Sequence, residues 1–145
     1  MARDAKGNGV LTQTDYEALA NLRYTLRRFM AFSTSAAHAA GLPPQQHQAL
    51  LAIKGNPGGQ AMTVGLLAER LLIAPHTAAE LVGRLADGDL VASAADPADR
   101  RRLTLSLTPK AEDILRSLSL IHLREIRELA PVLADALRVL QGRGG

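Results

Sequence analysis

The 145-residue chain contains no cysteine. Disulfide bonds, thiolate metal ligation and cysteine redox sensing are therefore excluded. Tryptophan is also missing, and the four aromatic residues (Tyr16, Tyr24, Phe29 and Phe32) all fall in one short stretch near the start. A binder that stacks single-stranded bases or RNA on aromatic platforms needs more of them, elsewhere, so that class is disfavoured. No apolar run reaches the length that spans a bilayer, and no membrane partner is expected. Nor is there a large excess of one charge. The formal net charge of +3 favours an anionic partner only if the positive residues are concentrated. The opening "MARDAKGNGV" lacks the apolar block of a secretory signal. It reads as a flexible tail, and with the missing cysteines it fits a cytoplasmic protein.

What is present is a core. Hydrophobic residues make up 47% of the chain, enough for one packed domain with or without a dimerisation arm. Thr14 and Glu17 have the spacing of a capping box ahead of a long helical pattern. Leu19, Leu22, Leu26, Phe29, Met30 and Phe32 share one broad face of it. Arg23, Arg27 and Arg28 lie on the other with Tyr16 and Tyr24. Gly41 supplies a left-handed stop. Pro44 opens a short helix that "GNPGG" ends. Thr63 is the expected N-cap of the helix "VGLLAERL".

After the three residues "LIA", Pro75 opens a helix with a clean division. Ala78, Leu81, Val82 and Leu85 occupy one side. His76, Thr77, Ala79, Glu80, Gly83, Arg84 and Asp87 occupy the other, and the helix stops near Gly88. "LVASA", the turn cluster "ADPADR" and the strictly alternating "RRLTLSLT" then form a β-hairpin. Leu103, Leu105 and Leu107 lie on one face of its return strand. Thr108 and Pro109 restart a helix carrying Ile114, Leu115, Leu118, Ile121, Ile126 and Leu129 on a wide stripe. Leu120 and Leu123 are on its far side. Pro131 is expected to break or restart it, leaving "VLADALRVLQ" as a last short helix.

The fold class is thus mainly α with a small β-hairpin: a winged helix-turn-helix flanked by N- and C-terminal dimerisation helices. The expected organisation is a flexible tail at 1–13, an N-terminal dimerisation helix at 14–42, a winged helix-turn-helix domain at 43–108, C-terminal dimerisation helices at 109–141 and a flexible end at 142–145. The helix opened by Pro75 would present its polar face to the major groove of double-stranded DNA. The hairpin tip would reach along the duplex. Arg100, Arg101 and Arg102 there are placed to meet phosphates or enter the minor groove. As an isolated run they would read as an ordinary solvated turn.

The stretch "MTVGLLAERLLIAPHTAAELVGRLADGDLV", followed by "DPADRRRLTLSLTPKAE", resembles the MarR family of bacterial transcription regulators. The features are the "LAERL" helix, the Pro-x-Thr opening, the "L-V-x-R-L" run, "G-x-L-V" and the Asp-Arg-Arg of the hairpin. The resemblance covers roughly residues 15 to 140. It implies a homodimer of interlocked terminal helices that binds pseudo-palindromic duplex DNA, usually as a repressor. It also implies release by a small, often phenolic or anionic, ligand bound between the dimerisation helices and the winged domain. Three positions depart from the common pattern. Ala74 stands where a serine N-cap is usual, Leu72 replaces a frequent turn glycine, and Glu80 stands where a basic or small polar residue is common.

The DNA-contact candidates are His76, Thr77, Glu80, Arg84, Thr63, Asp99, Arg100, Arg101 and Arg102. Asp99 is similar to the family's wing aspartate. It would hold one arginine by a bidentate pair, cap the turn, or both. Thr77 reads equally as a backbone cap, and Thr63 chiefly as one. Arg84 is poised between a phosphate contact and an i, i+4 pair with Glu80. Glu80 either repels phosphate or accepts a hydrogen bond from a cytosine amino group. A pocket for a small aromatic or anionic effector would involve Tyr24, Arg28, His47 and His122. The bland reading of His122 is a hydrogen-bonded interface histidine. His38, His47 and His122 lack metal-site spacing, so no metal or cofactor is expected. "GNPGG" has no following Lys-Ser/Thr and is a turn rather than a phosphate loop. No nucleophile–base pair is visible, and the protein is not read as an enzyme. The alternative is a winged-helix protein-interaction module that has lost DNA binding, for which Glu80, Asp87 and Asp89 are the support.

Overall fold

The computed structural model describes residues 9–143. The tail expected at 1–13 lies outside the described residues over 1–8, and the end expected at 142–145 lies outside them at 144 and 145. The chain divides into two compact units: Ala36–Ser119, and the segment up to Ser35 together with the segment from Leu120. Among the described residues no helix is long and apolar enough to cross a membrane.

The unit Ala36–Ser119 holds the winged fold. After helix α1 (Gln13–Ala39) come α2 (Pro44–Lys54), a short 3₁₀ turn (Pro57–Gly59) and strand β1 (Met62–Thr63). Helix α3 (Val64–Leu71) and helix α4 (Pro75–Asp87) follow. Strands β2 (Val91–Ala95) and β3 (Leu103–Leu107) lead to helix α5 (Pro109–Arg143). The strands form one antiparallel sheet in the order β1-β3-β2. Val91 pairs with Leu107 and Ala95 with Leu103 across the hairpin. Met62 pairs with Leu105 and Thr63 with Thr104 on the other edge. The third strand goes beyond the expected hairpin. Two residues have no legible period, and Met62–Thr63 becomes a strand only because β3 offers it a ladder. The core gathers fully buried side chains from successive elements, among them Leu50 of α2, Leu67 of α3, and Leu81 and Leu85 of α4. Of the three alternating leucines of β3 only Leu105 is buried, while Leu103 near the tip is 47% exposed.

Three helices end in the same way, with a left-handed residue after the last turn and paired backbone bonds closing back on the helix. Gly41 (φ 76°) ends α1, with Leu42 N–H donating to Ala37 C=O at 2.9 Å. Leu72 (φ 58°) ends α3, with Ile73 N–H donating to Ala68 C=O at 3.0 Å. Asp89 (φ 59°) ends α4, with Leu90 N–H donating to Leu85 C=O at 2.8 Å. The helix stops at Gly88, its C-cap, where the stop was expected, and the left-handed residue follows at Asp89. Gly88 itself keeps φ at −85°, and the short Asp89 side chain tolerates the left-handed region better than most. Thr63 caps α3, its Oγ1 accepting from Leu66 N–H at 3.2 Å. Thr108 caps α5, accepting from Ala111 N–H at 3.2 Å and donating to Asp89 C=O at 2.7 Å.

The second unit contains the first part of α1 and the last part of α5. The box that opens α1 is Thr12 with Asp15, two residues earlier than Thr14 and Glu17. Thr12 N–H donates to Asp15 Oδ2 at 2.8 Å, and Asp15 N–H donates to Thr12 Oγ1 at 3.2 Å. The helix already runs at Gln13, so Thr14 lies inside the first turn and cannot cap it. The broad apolar face of α1 divides. Ala18 and Thr25 are buried and Phe29 and Phe32 half-buried, while Leu19, Leu26 and Met30 are exposed.

In the same unit α5 runs through Pro131 without a break. Pro131 removes the N–H that Arg127 C=O would accept and costs about 3 kcal/mol in a helix interior. Both residues are on the exposed side, where water can replace the lost donor, and Leu129 and Ala136 stay buried on the other. The expected two helices are therefore one.

Candidate nucleic-acid interface

The tip of the hairpin, residues 96–102, is built by two aspartates. Asp96 Oδ1 accepts from Ala98 N–H at 2.9 Å and Asp99 Oδ1 from Arg101 N–H at 3.1 Å, so each carboxylate folds the chain two residues ahead. Backbone bonds Asp99 N–H to Asp96 C=O (3.1 Å) and Arg102 N–H to Asp99 C=O (2.9 Å) complete consecutive turns. Asp96 N–H to Arg102 C=O at 2.9 Å closes the loop where the strands begin.

The same carboxylates orient the arginines. Arg101 presents Nε and Nη2 to Asp99 Oδ1 and Oδ2 at 3.1 and 3.4 Å. Its side chain nevertheless remains 91% exposed. The two alternatives for Asp99, turn cap and arginine holder, are both realised. Arg101 holds the Asp99 carboxyl below its ordinary value of 3.8 through side-chain and then backbone hydrogen bonds, with a smaller contribution from the charge of Arg102. Arg102 lies 3.8 Å from Asp96. The Asp96 partnership is not among the sequence expectations, although the i, i+3 repeat of aspartate in "DPAD" is its signal. Arg100 is exposed and makes no ion pair among the described residues.

Helix α4 supplies the other surface. Ala78, Leu81, Val82 and Leu85 are buried, and His76, Ala79, Glu80, Gly83, Arg84 and Asp87 are exposed. Its N-cap is Ala74, whose side chain makes no cap bond. Thr77 is half-buried and does not substitute for it. Glu80 and Arg84 do not pair with one another among the described residues. Thr63, Gly65 and Glu69 of the β1–α3 region, Ala79 of α4, and Arg101 and Arg102 of the wing line an open groove of about 480 Å³. Gly65, Glu69 and Ala79 are additions to the expected site residues, because their part in the groove depends on where the wing folds.

The effector candidates divide between the units. Tyr24 and Arg28 belong to one turn of α1, with the guanidinium carbon 5.9 Å from the ring centroid. His122 is buried, its Nε2 2.8 Å from Ser33 Oγ, with the edges of Phe29 and Phe32 packed around it. His47 is buried in the other unit. Among the described residues no group of His, Asp and Glu is arranged to hold a metal ion.

Known proteins are similar to this chain in part of its sequence and in its fold. Residues 40–102 match the model of the MarR family. YsmB of Bacillus subtilis (strain 168), described as an uncharacterized HTH-type transcriptional regulator, is 30% identical over 74 residues. That stretch is 51% of this chain and spans about half, 51%, of the relative. The PcaV transcriptional regulator of Streptomyces coelicolor, solved with its natural ligand, is similar at 26% identity and a TM-score of 0.60. The match covers 81% of this chain and 84% of PcaV. A mutant of E. coli MarR, solved with operator DNA, shares the fold at a TM-score of 0.66 and 18% identity. That match covers 82% of this chain and 84% of the other. The matched segment contains α3, α4 and the arginine tip, and the fold agrees along most of the chain, so the winged helix-turn-helix of this protein is similar to that of the MarR family.

Proposed function

We propose that the protein is a homodimeric transcription regulator that binds pseudo-palindromic duplex DNA, with α4 in the major groove and the wing along the adjacent backbone or minor groove. The observation that carries this reading is the wing tip. Arg101 is held from behind by both oxygens of Asp99 yet stays open to solvent. A guanidinium fixed in this way meets a phosphate with little ordering left to do. Two similar proteins, a helix-turn-helix transcriptional regulator and a protein solved on operator DNA, support it.

Exposed leucines support the dimer. Leu19, Leu26 and Met30 of α1, with Leu120, Leu123 and Ile126 of α5, are each 42–58% exposed. An apolar cleft of about 280 Å³ in the same unit includes Leu26, Phe29, Ile126 and Leu129. Apolar surface of this kind marks an interaction site. A dimer would set the distance between two copies of α4, which match half-sites about 34 Å apart. An effector, small and aromatic or anionic, would act through Tyr24 and Arg28 or the buried His47 and His122. It would weaken DNA binding by preferring a different spacing. Repression would follow where the bound site overlaps a promoter.

The test is binding of a labelled duplex from the protein's own upstream region, titrated with salt. Six wing arginines in a dimer predict a fall of log K against log salt with a slope of about −5. Glu80 and Asp87, exposed on α4, favour the second reading, a protein-interaction module. That reading is supported if no duplex binds at about 50 mM salt.

A further inference from the structure

Gly83 lies in the middle of the outward face of α4, and the protein itself gives no reason for a glycine there. A Cβ added at this position would meet nothing within 4 Å. Gly83 is not among the positive-φ glycines, so backbone conformation does not require it either. A glycine inside a helix weakens it relative to alanine, because more backbone freedom is lost on folding. The cost has no internal return, and the remaining use of a missing side chain is the close approach of another molecule.

The neighbours of Gly83 say what that molecule presents. On the helical wheel His76, Glu80, Gly83 and Asp87 follow one another opposite the buried Ala78, Leu81, Val82 and Leu85. Glu80 is exposed and forms no ion pair among the described residues, although Arg84 stands one turn away. Glu80 and Asp87 together outweigh Arg84, so this face has no positive surplus to offer phosphate. The cations of the site are on the wing. In the floor of the major groove a carboxylate needs a donor. Cytosine offers its N4 amino group with no acceptor beside it on that base edge, whereas the adenine amino group sits next to N7. A carboxylate reaches that floor, away from the phosphates, only when the helix backbone comes close.

We infer that α4 is a close-docking, cytosine-reading surface, in which Gly83 lets the helix sink into the major groove and Glu80 accepts a hydrogen bond from a cytosine N4 amino group. The inference rests on the duplex-binding reading above and specifies one base of each half-site.

The test is selection from a random duplex pool at about 50 mM salt with the full chain, with Glu80→Ala and with Gly83→Ala. The unaltered chain enriches a motif with one invariant cytosine per half-site. E80A loses preference at that base by about tenfold or more and keeps the rest of the motif. N4-methylcytosine at the same place, with its methyl group in the groove and its remaining hydrogen paired to guanine, weakens the unaltered chain to a similar degree and leaves E80A unaffected. G83A melts about 2–4 °C higher and binds the selected site at least about tenfold more weakly. Stability rising while binding falls is a pairing that a merely structural glycine would not give. An E80A variant that recovers the same motif with uniformly tighter binding overturns the inference, because Glu80 then only repels phosphate. A G83A variant that binds like the parent overturns it too. Binding by the unaltered chain without a cytosine preference overturns this inference alone. Enrichment of no duplex overturns the DNA-binding reading and this inference with it.

Discussion

Asp99 performs two tasks with one carboxylate: it closes the turn through Arg101 N–H and it grips the Arg101 side chain. Its pKa is depressed by those same bonds. The sign is that of a carboxylate stabilised when charged. The order it gives the wing is present above the ordinary carboxylate value of 3.8 and is lost as pH falls through the lowered one. The Arg101 Nε–H signal should therefore be constant by NMR from about pH 8 to 5 and change only below about pH 4. A signal that titrates near neutrality would contradict the pairing. Arg101→Ala should weaken binding to all duplexes and lower the salt slope by about one unit per subunit, without changing the preferred motif. A changed motif would assign Arg101 to base reading instead.

At the scale of elements, the three helix stops share one geometry and differ in residue. Gly41 meets the left-handed requirement without strain. Leu72 meets it while 91% exposed, which leaves a strained backbone and an unburied leucine at the turn between α3 and α4. A residue of this kind costs about 1–2 kcal/mol. Leu72→Gly recovers part of that, less the added freedom of the unfolded chain. The variant should melt roughly 2–4 °C higher in calorimetry. A lower melting temperature would mean that Leu72 makes a stabilising contact in the assembled protein. The family resemblance marks Leu72 as a replaced glycine, and the structure gives the replacement its physical content.

For the whole molecule, the exposed apolar residues of α1 and α5 are the feature that a single chain does not explain. In the proposed dimer, Leu26→Glu with Leu123→Glu should shift the sedimentation coefficient from dimer to monomer. The double variant should also weaken binding to a palindromic site far more than to a half-site, because two linked copies of α4 act at high effective concentration. A variant that remains dimeric would move the interface elsewhere.

Local chemistry made much of this protein legible from sequence. The 3.6-residue division of α4, the alternation of β3, the caps Thr63 and Thr108 and the stop at Gly41 each depend on residues a few positions apart. The same range covers the pairing of Asp99 with a neighbouring arginine. Tertiary structure decided what depends on distant partners. Strand β1 exists because β3 lies beside it, α5 survives Pro131 because its buried face continues past the proline, and Leu19 and Leu26 stand outside although their period matched a core face. The groove joining Thr63, Ala79 and Arg101 belongs to that second class as well. Backbone propensity and side-chain period act within one turn and are written in the residue order. Burial and ladder pairing are properties of surfaces that meet only after the chain has folded.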